Sequence, residues 1–573
     1  MKCKMNKKTI IGGAIGNCVH VAGVFEYLRI AEHYGHCSIF LGSAVDTKKF
    51  IEAIKVNKPD IVCVSYRLAS SSLQAILKIF CKAIYANGLD QNKLYYFGGT
   101  PQCIDEAKKC KLFSCYFHGE ESLSYIENTL LIKQRASSFA TKLALVKENQ
   151  NDLSKNIYYP LLRHHFGLPD LIETIESVKL IAESGQVDII SLAPDQNAQE
   201  YFFEQEKMDR SLNGSGGVPI RTEDDLIAIR EAAQTGNCPK LKIYSGTNNL
   251  IKWAEMSKRL LNIPWATVPL YWYSILDGRS KRSLLSAIKE NIETIRWYAK
   301  HNIPVEINES HQWSLRECSD VMAVVTFYMA AYNAKNNGVK KYVAQFMFNT
   351  PRLTSASMDL AKMLAKIEMI EELQDESFTY LKQVRAGLSH FSVDKDVAKG
   401  QLSASTLLSL LIRPHIIHVV SYCEANHAAA SEDVIESCKI VRGVLKNCWG
   451  GFPDIINDEK VQKRKNELVT RARKVINKII EYYSDCYADP LTEPNLLKEM
   501  ITRGIFDAPH LKGNPAAMGK MRTRMYNGGY ECVNSRGNII SEPARITRLL
   551  KTSEKADVSQ EIEGFDGDNH YEE

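Results

Sequence analysis

The residues that offer the most chemistry lie near the start of the chain, in Gly16-Asn17-Cys18-Val19-His20-Val21-Ala22-Gly23. They follow the apolar run Thr9-Ile10-Ile11 and open an amphipathic stretch over 24–31. A glycine-flanked turn from strand to helix is where open α/β sheets place their ligands. An imidazole on that turn, His20, stands clear of the sheet edge and can reach a metal ion. Ser65, Gly98, Gly99 and Gly119 end later apolar runs and gather at the same edge. A second set follows apolar runs farther along: Arg163-His164-His165, Asp195-Gln196-Asn197, Ser245 to Asn248, Tyr271-Trp272-Tyr273, Asp277-Gly278-Arg279, Asn308-Glu309-Ser310-His311, Ser421-Tyr422 and Glu424. Guanidinium, carboxylate and phenol groups in that arrangement line a mouth suited to a small polar substrate.

Two kinds of scaffold must position them. Over 1–130, strand patterns at 8–12, 37–41, 60–65, 93–97 and 114–117 alternate with helical ones. This predicts a five-stranded, doubly wound, flavodoxin-like domain. A polar segment at 131–158 reads as a linker. Over 159–450, apolar runs at 159–162, 187–193, 241–244, 265–270, 305–307, 342–348, 386–391 and 416–420 alternate with amphipathic helices. Eight such units predict a (β/α)8 TIM barrel, whose chemistry sits at the carboxyl ends of its strands. An α+β extension is expected over 451–552, with a long helix at 463–483 and a hairpin at 525–540 marked by Asn527-Gly528. The acidic segment 553–573 reads as a disordered tail.

Composition narrows the class. The 573 residues carry 72 basic and 67 acidic side chains, a net charge of +5. That is too near neutral, at this size, to argue for nucleic acid. No apolar run reaches the length of a membrane span. The 15 cysteines show no C-x-x-C or C-x-C spacing. This speaks against a structural zinc module or a cysteine-ligated iron–sulfur cluster, and for reduced thiols in the cytoplasm.

Cys18-x-His20-x-x-Gly23, Ser65-Tyr66-Arg67 and Gly98-Gly99 resemble the Asp-x-His-x-x-Gly, Ser-x-Leu and Gly-Gly motifs of the cobalamin-binding domain of B12-dependent mutases and methionine synthase. The resemblance implies that His20 is the lower cobalt ligand and that Ser65 meets the displaced nucleotide tail. It also implies that Gly23, Gly98, Gly99 and Gly119 let the cofactor approach the backbone. Cys18 stands where the family has aspartate, and a thiol is a weaker acceptor for an imidazole N–H. Arg67 replaces a leucine and offers a phosphate or corrin-amide contact.

The remainder resembles the catalytic barrel subunit of the glutamate mutase (methylaspartate mutase) family. The resemblance rests on Leu212-Asn213-Gly214 through Val218, on Glu424 through Ala429, and on Gly504 through Met521. It implies an adenosylcobalamin-dependent radical mutase, an isomerase, acting on an amino acid or related small carboxylic acid. Carried over by position, Arg163 grips a substrate carboxylate, and Glu309, Tyr271 and Tyr273 hold or polarise the substrate amine. Asn197 and Arg279 add substrate contacts, and Glu424 holds the adenosyl ribose, with Ser421 in place of the family's lysine. The second and third carboxylate-binding arginines have no counterpart in place, which leaves Arg279 and Arg352 to enter from elsewhere. A homodimer is expected. A corrinoid methyltransferase and a non-catalytic cobalamin carrier or sensor remain as alternatives.

Overall fold

The computed structural model describes residues 7–33, 35–119, 160–387, 390–448 and 453–551, with a few isolated positions between these blocks. The expected linker and acidic tail lie outside the described residues, as does Tyr159. The chain divides into two compact units, Met1–Arg135 and Ala136–Glu573.

In the first unit, β1 (Thr9–Ile15), β2 (Cys37–Val45), β3 (Ile61–Tyr66), β4 (Leu94–Gly99) and β5 (Cys115–Phe117) form one parallel sheet in the order β2-β1-β3-β4-β5. Helices cover both faces, so β3, Ile-Val-Cys-Val-Ser-Tyr, is buried at every position. The chain leaves β1 for one neighbour and later returns to the other. That reversal opens a crevice at the carboxyl ends of β1 and β3. Gly16 takes the left-handed conformation there (φ +70°), where a side chain would be strained.

The second unit holds eight parallel strands: β6 (Leu161–Phe166), β7 (Ile189–Leu192), β8 (Lys240–Ile243), β9 (Ala266–Val268), β10 (Val305–Ile307), β11 (Lys341–Phe348), β12 (Thr379–Ala386) and β13 (Ile416–Val419). Their order is β8-β7-β6-β13-β12-β11-β10-β9. The end strands β8 and β9 come into contact without a hydrogen-bonded ladder, so the barrel is nearly closed. Asp170, Thr222, Ser283, Ser319, Ser355 and Asp394 each cap the helix that follows a strand.

Two strands differ from expectation. β6 starts and ends later than the run at 159–162, so Arg163, His164 and His165 lie within the strand rather than after it. The seventh strand is Thr379–Ala386, not 386–391. Its inward face carries Gln383 and Arg385, because this barrel is polar above its floor, and Lys382 adds a charge on the other face. A search for apolar runs passes over such a strand.

Inside the barrel, Leu161, Ile189, Trp265, Val343, Leu381 and Ile416 form an apolar floor. Above it sits a polar layer centred on Glu306. One carboxylate oxygen accepts from Arg163 Nη1 (2.9 Å), Lys242 Nζ (3.2 Å), Trp265 Nε1 (2.8 Å) and Thr267 Oγ1 (3.1 Å). The other accepts from Gln383 Nε2 at 3.1 Å. Arg163 is completed by Ser191 Oγ at 2.7 Å and Gln383 Oε1 at 2.8 Å. Burial alone would raise the Glu306 pKa, but Arg163 and Lys242 hold it well below the usual carboxylate range. Lys242 also donates to Thr267, a side-chain bridge across the β8–β9 seam.

The extension packs onto the barrel. Its long helix, Glu459–Tyr483, sends Arg464 to Asp320 (3.0 Å) and to Glu531 of the hairpin β14 (Thr523–Tyr526) and β15 (Gly529–Cys532). Asp507 gathers the backbone N–H groups of Ala508, Gly519, Lys520 and Met521 at 2.8–3.2 Å. Asn514 Nδ2 donates to Leu276 O (2.7 Å) in the loop after β9. No helix among the described residues is long and apolar enough to cross a membrane.

Glu306→Ala leaves Arg163 and Lys242 buried without their anion. The expected loss is about 3–5 kcal/mol of stability, read as a lower urea midpoint. A variant as stable as the wild type would remove Glu306 from the centre of the barrel's polar layer.

Candidate functional site

In the first unit, His20 sits exposed on the turn after β1. Its Nδ1 lies 3.8 Å from the buried Cys18 Sγ, and no partner is recorded for Nε2. Cys18 is itself fixed: its sulfur accepts from Arg67 N (3.3 Å) and its carbonyl from Ala44 N (2.8 Å). Ser65 is buried, with Oγ 3.5 Å from the His20 carbonyl. Tyr66 OH donates to Asn17 Oδ1 at 3.0 Å. The turn is thus held from beneath while the imidazole points away.

The glycines around His20 divide into two kinds. A Cβ on Gly23 or Gly119 would meet nothing within 4 Å, and on Gly98 nothing nearer than 3.8 Å. Gly99 is different: a Cβ there would lie 2.5 Å from the Tyr66 carbonyl oxygen, so its small size serves the packing of β4 on β3. Arg67 is exposed, and Val19 is 62% exposed. The crevice is therefore open, part apolar, and carries one imidazole.

The second unit has its own site at the carboxyl ends of the barrel strands. The expected residues fall into three groups. Arg163 is fully buried and consumed by the Glu306 network. Asn197 spends its amide on Asp209 O (2.7 Å) and Asn213 Oδ1 (2.9 Å), which pins the loop after β7. Glu309 accepts from Leu270 N (2.6 Å), Tyr271 N (2.9 Å), Trp272 Nε1 (2.9 Å) and Trp313 Nε1 (3.1 Å), which fixes the loop after β9. Burial raises its pKa to about 8, against the pull of those donors. Tyr271 packs on Trp313 and Phe506, and burial drives its phenol well above the ordinary value.

Tyr273 and Arg279 do come together. The Arg279 guanidinium lies 4.9 Å from the Tyr273 ring centroid and half-exposed on a cavity of about 660 Å³, which Arg316, Glu200, Asp277 and Asn514 also line. Arg352 is exposed elsewhere. Glu424 is partly buried, and desolvation raises its carboxyl. Ser421 Oγ is 2.8 Å from His164 Nε2.

The centre of the mouth gathers His165, expected after the first apolar run, with Tyr244 and His418 from later runs, and Arg385, which no apolar run revealed. His165 stacks on Tyr244 (5.0 Å between centroids), with Tyr244 OH 2.6 Å from Nε2, and lies 4.3 Å from the His418 ring. Arg385, at the end of β12, bears electrostatically on His164, His165, His311, His418, Tyr244 and Glu424. Burial first, and cationic neighbours second, hold the imidazoles of His165, His311 and His418 in the neutral form. No hydrogen bond or ion pair is recorded for the Arg385 guanidinium, and its buried Nε is unsatisfied. A partly buried cationic donor without an acceptor is a ready site for a carboxylate. The usable signal was the two-residue period of Leu381, Gln383 and Arg385, which places all three on one strand face.

No protein-family model matches the chain, and no curated protein matches it in sequence. Among solved structures it is similar to a cobalamin-binding protein from Desulfitobacterium hafniense DCB-2, with 19% identity and a TM-score of 0.19, over 22% of this chain and 58% of that one. It is similar to a truncated 3-deoxy-D-arabino-heptulosonate 7-phosphate synthase from Thermotoga maritima, with 13% identity and a TM-score of 0.29, over 52% and 93%. It is also similar to the cobalamin-dependent S-adenosylmethionine radical enzyme OxsB with aqua-cobalamin bound, with 11% identity and a TM-score of 0.21, over 82% and 56%. The chain thus spans little more than half the length of the first and third of these proteins. Likenesses this remote carry no function, which must rest on the geometry above.

The Glu309 carboxyl titrates in the fold above its ordinary value of 4.5, near 8. Its stabilising contribution is therefore full below about pH 4.5 and fades as pH rises through about 8. Glu309→Gln removes that dependence. Urea melts of the two proteins across this range should show the wild type losing ground to the variant as pH rises. A constant difference would contradict the buried neutral carboxyl.

Proposed function

We propose that the chain binds cobalamin through His20 and is an adenosylcobalamin-dependent radical isomerase of an amino acid or related small carboxylic acid. The observation that carries the reading is the state of His20. Its Nδ1 lies 3.8 Å from the fixed Cys18 thiol, the residue is exposed, and the turn lies at the switch point of a doubly wound sheet. Imidazole nitrogen suits a transition metal, and an engaged Nδ1 sets which nitrogen it offers. The open faces of Gly23, Gly98 and Gly119 leave room for a large flat ring system to approach the backbone. The exposed side chain of Val19 offers that ring an apolar neighbour. The residues present fit the group, with Cys18 a weaker orienting partner than a carboxylate.

Bound there, the cofactor supplies a cobalt–carbon bond whose homolysis initiates radical rearrangement. The protein's own part is binding, orientation and exclusion of water. Arg385 replaces Arg163 as the grip on a substrate carboxylate, since Arg163 is fully buried and its charge is already met by Glu306. His418 is neutral, and its buried, unpartnered Nδ1 accepts a hydrogen bond from a substrate ammonium or hydroxyl without adding charge, while His165 is held beside it by Tyr244. Arg279, seated on the buried Tyr273 ring and loosely paired with Asp277 at 3.7 Å, lines the cavity and offers a second carboxylate its outer face. Phe506, Trp313 and Tyr271 pack behind the loop after β9 and keep it dry.

Adding adenosylcobalamin to the purified protein should convert the corrin spectrum to the base-off form, and His20→Ala should abolish that change. A corrin spectrum untouched by the wild-type protein sinks the reading. With cofactor present, a small amino or carboxylic acid should produce a radical signal in electron paramagnetic resonance. Arg385→Ala should raise the substrate concentration for half-saturation about ten- to a hundred-fold, the worth of a charge-assisted hydrogen bond. An unchanged half-saturation would take Arg385 out of substrate binding.

A further inference from the structure

After β13 the chain makes the short turn Tyr422–Ala425 and then enters the helix Ser431–Asn447. His427 N donates to Cys423 O at 2.9 Å, which sets these two residues one turn apart on the same side. Asp433 comes from the first turn of the following helix. Its Oδ2 accepts from Ala430 N (3.1 Å) and faces His427 Nε2 (3.2 Å), and its Oδ1 accepts from Tyr422 OH (3.1 Å). One sulfur of Cys423, one imidazole nitrogen of His427 and one oxygen of Asp433 lie within 4.8 Å of one another. They form the one such group of three recorded among the described residues.

We propose that Cys423, His427 and Asp433 bind a divalent cation of the zinc class. The donor set selects the metal: a thiolate and an imidazole suit zinc, whereas calcium and magnesium want oxygen alone. Zinc sits about 2.0–2.3 Å from such atoms, and a small movement of the exposed His427 ring closes the group on one ion. The burial is graded as a binding site needs. Cys423 is buried, the Asp433 side chain is 18% exposed and that of His427 is 55% exposed, so the imidazole marks the entry path.

The carboxylate is already oriented. Tyr422 OH lies between Asp433 and Glu436 (2.6 Å), and Glu436 is paired with Lys399. Outer partners of this kind hold a ligand in its binding pose. Binding displaces the thiol proton of Cys423 to solvent and requires neutral His427 with its remaining proton on Nδ1. Three protein ligands leave a fourth position for water, a thiol or a carboxylate, the arrangement of an open zinc site rather than a closed structural one. These residues are distinct from His20 and Arg385, so the site stands whether or not the chain takes a corrin.

The probe is Co²⁺ added to the full chain, stripped of metal with chelator and free of corrinoid. It should bind at about one ion per chain, with the thiolate-to-cobalt charge-transfer band and intense visible bands of a tetrahedral site. Excess Zn²⁺ should erase both. Cys423→Ser should lose the charge-transfer band, and His427→Ala, a surface change that spares the fold, should lose the tetrahedral spectrum. Tyr422→Phe should weaken affinity about tenfold, while His20→Ala leaves it unchanged. Absence of the bands in the wild-type protein overturns the proposal. So does a full spectrum that survives in both Cys423→Ser and His427→Ala.

Discussion

One carboxylate holds the barrel together from within. Glu306 is fully enclosed, and its two oxygens take donors from β6, β8, β9 and β12 and from the indole of Trp265. An anion there is tolerated only because Arg163 and Lys242 meet it directly. The arrangement decides what lies above. With Arg163 committed to Glu306, Arg385 is a cation beside the imidazoles, which stay neutral. The floor below is apolar and sealed, so a polar ligand enters only from the carboxyl ends of the strands.

The two units use histidine in opposite ways. In the first, His20 stands exposed on a turn that Cys18 and Asn17 tie to the residues after β3. In the second, His165, His311 and His418 are withdrawn from water and lose their basicity to burial and to neighbouring guanidinium groups. The first ring stays in contact with water. The buried rings are shaped to donate or accept hydrogen bonds at fixed positions.

Much of the architecture was legible in the chain. The five strands of the first unit fell within a few residues of expectation, because a sheet buried on both faces writes continuous apolar runs such as 61–64. The hairpin turn Asn527-Gly528 was equally readable, since both residues adopt positive φ. The barrel's shape was readable from six of its eight strands. β12 was not, because a strand lining a polar interior alternates amides and charges instead of apolar residues. The same feature hid Arg385. Arg163 and Glu309 stood out as chemistry-bearing residues, yet the fold spends one on a buried ion pair and the other on four N–H donors. Residue type announces a capacity, and only the neighbours reveal whether it has been used. Cys423, His427 and Asp433 escaped notice for a further reason: a rule tuned to paired cysteines passes over a group of three different ligand types.

The seam between β8 and β9 gives the barrel an asymmetry of its own. Seven junctions are stitched by backbone hydrogen bonds, while the eighth is spanned by the Lys242 side chain reaching Thr267 and Glu306. A ladder is written by the backbone and survives substitution, whereas this bridge requires an amine at 242 and a hydroxyl at 267. At the β8–β9 seam the closure of the barrel therefore rests on residue identity, and at every other junction on the main chain.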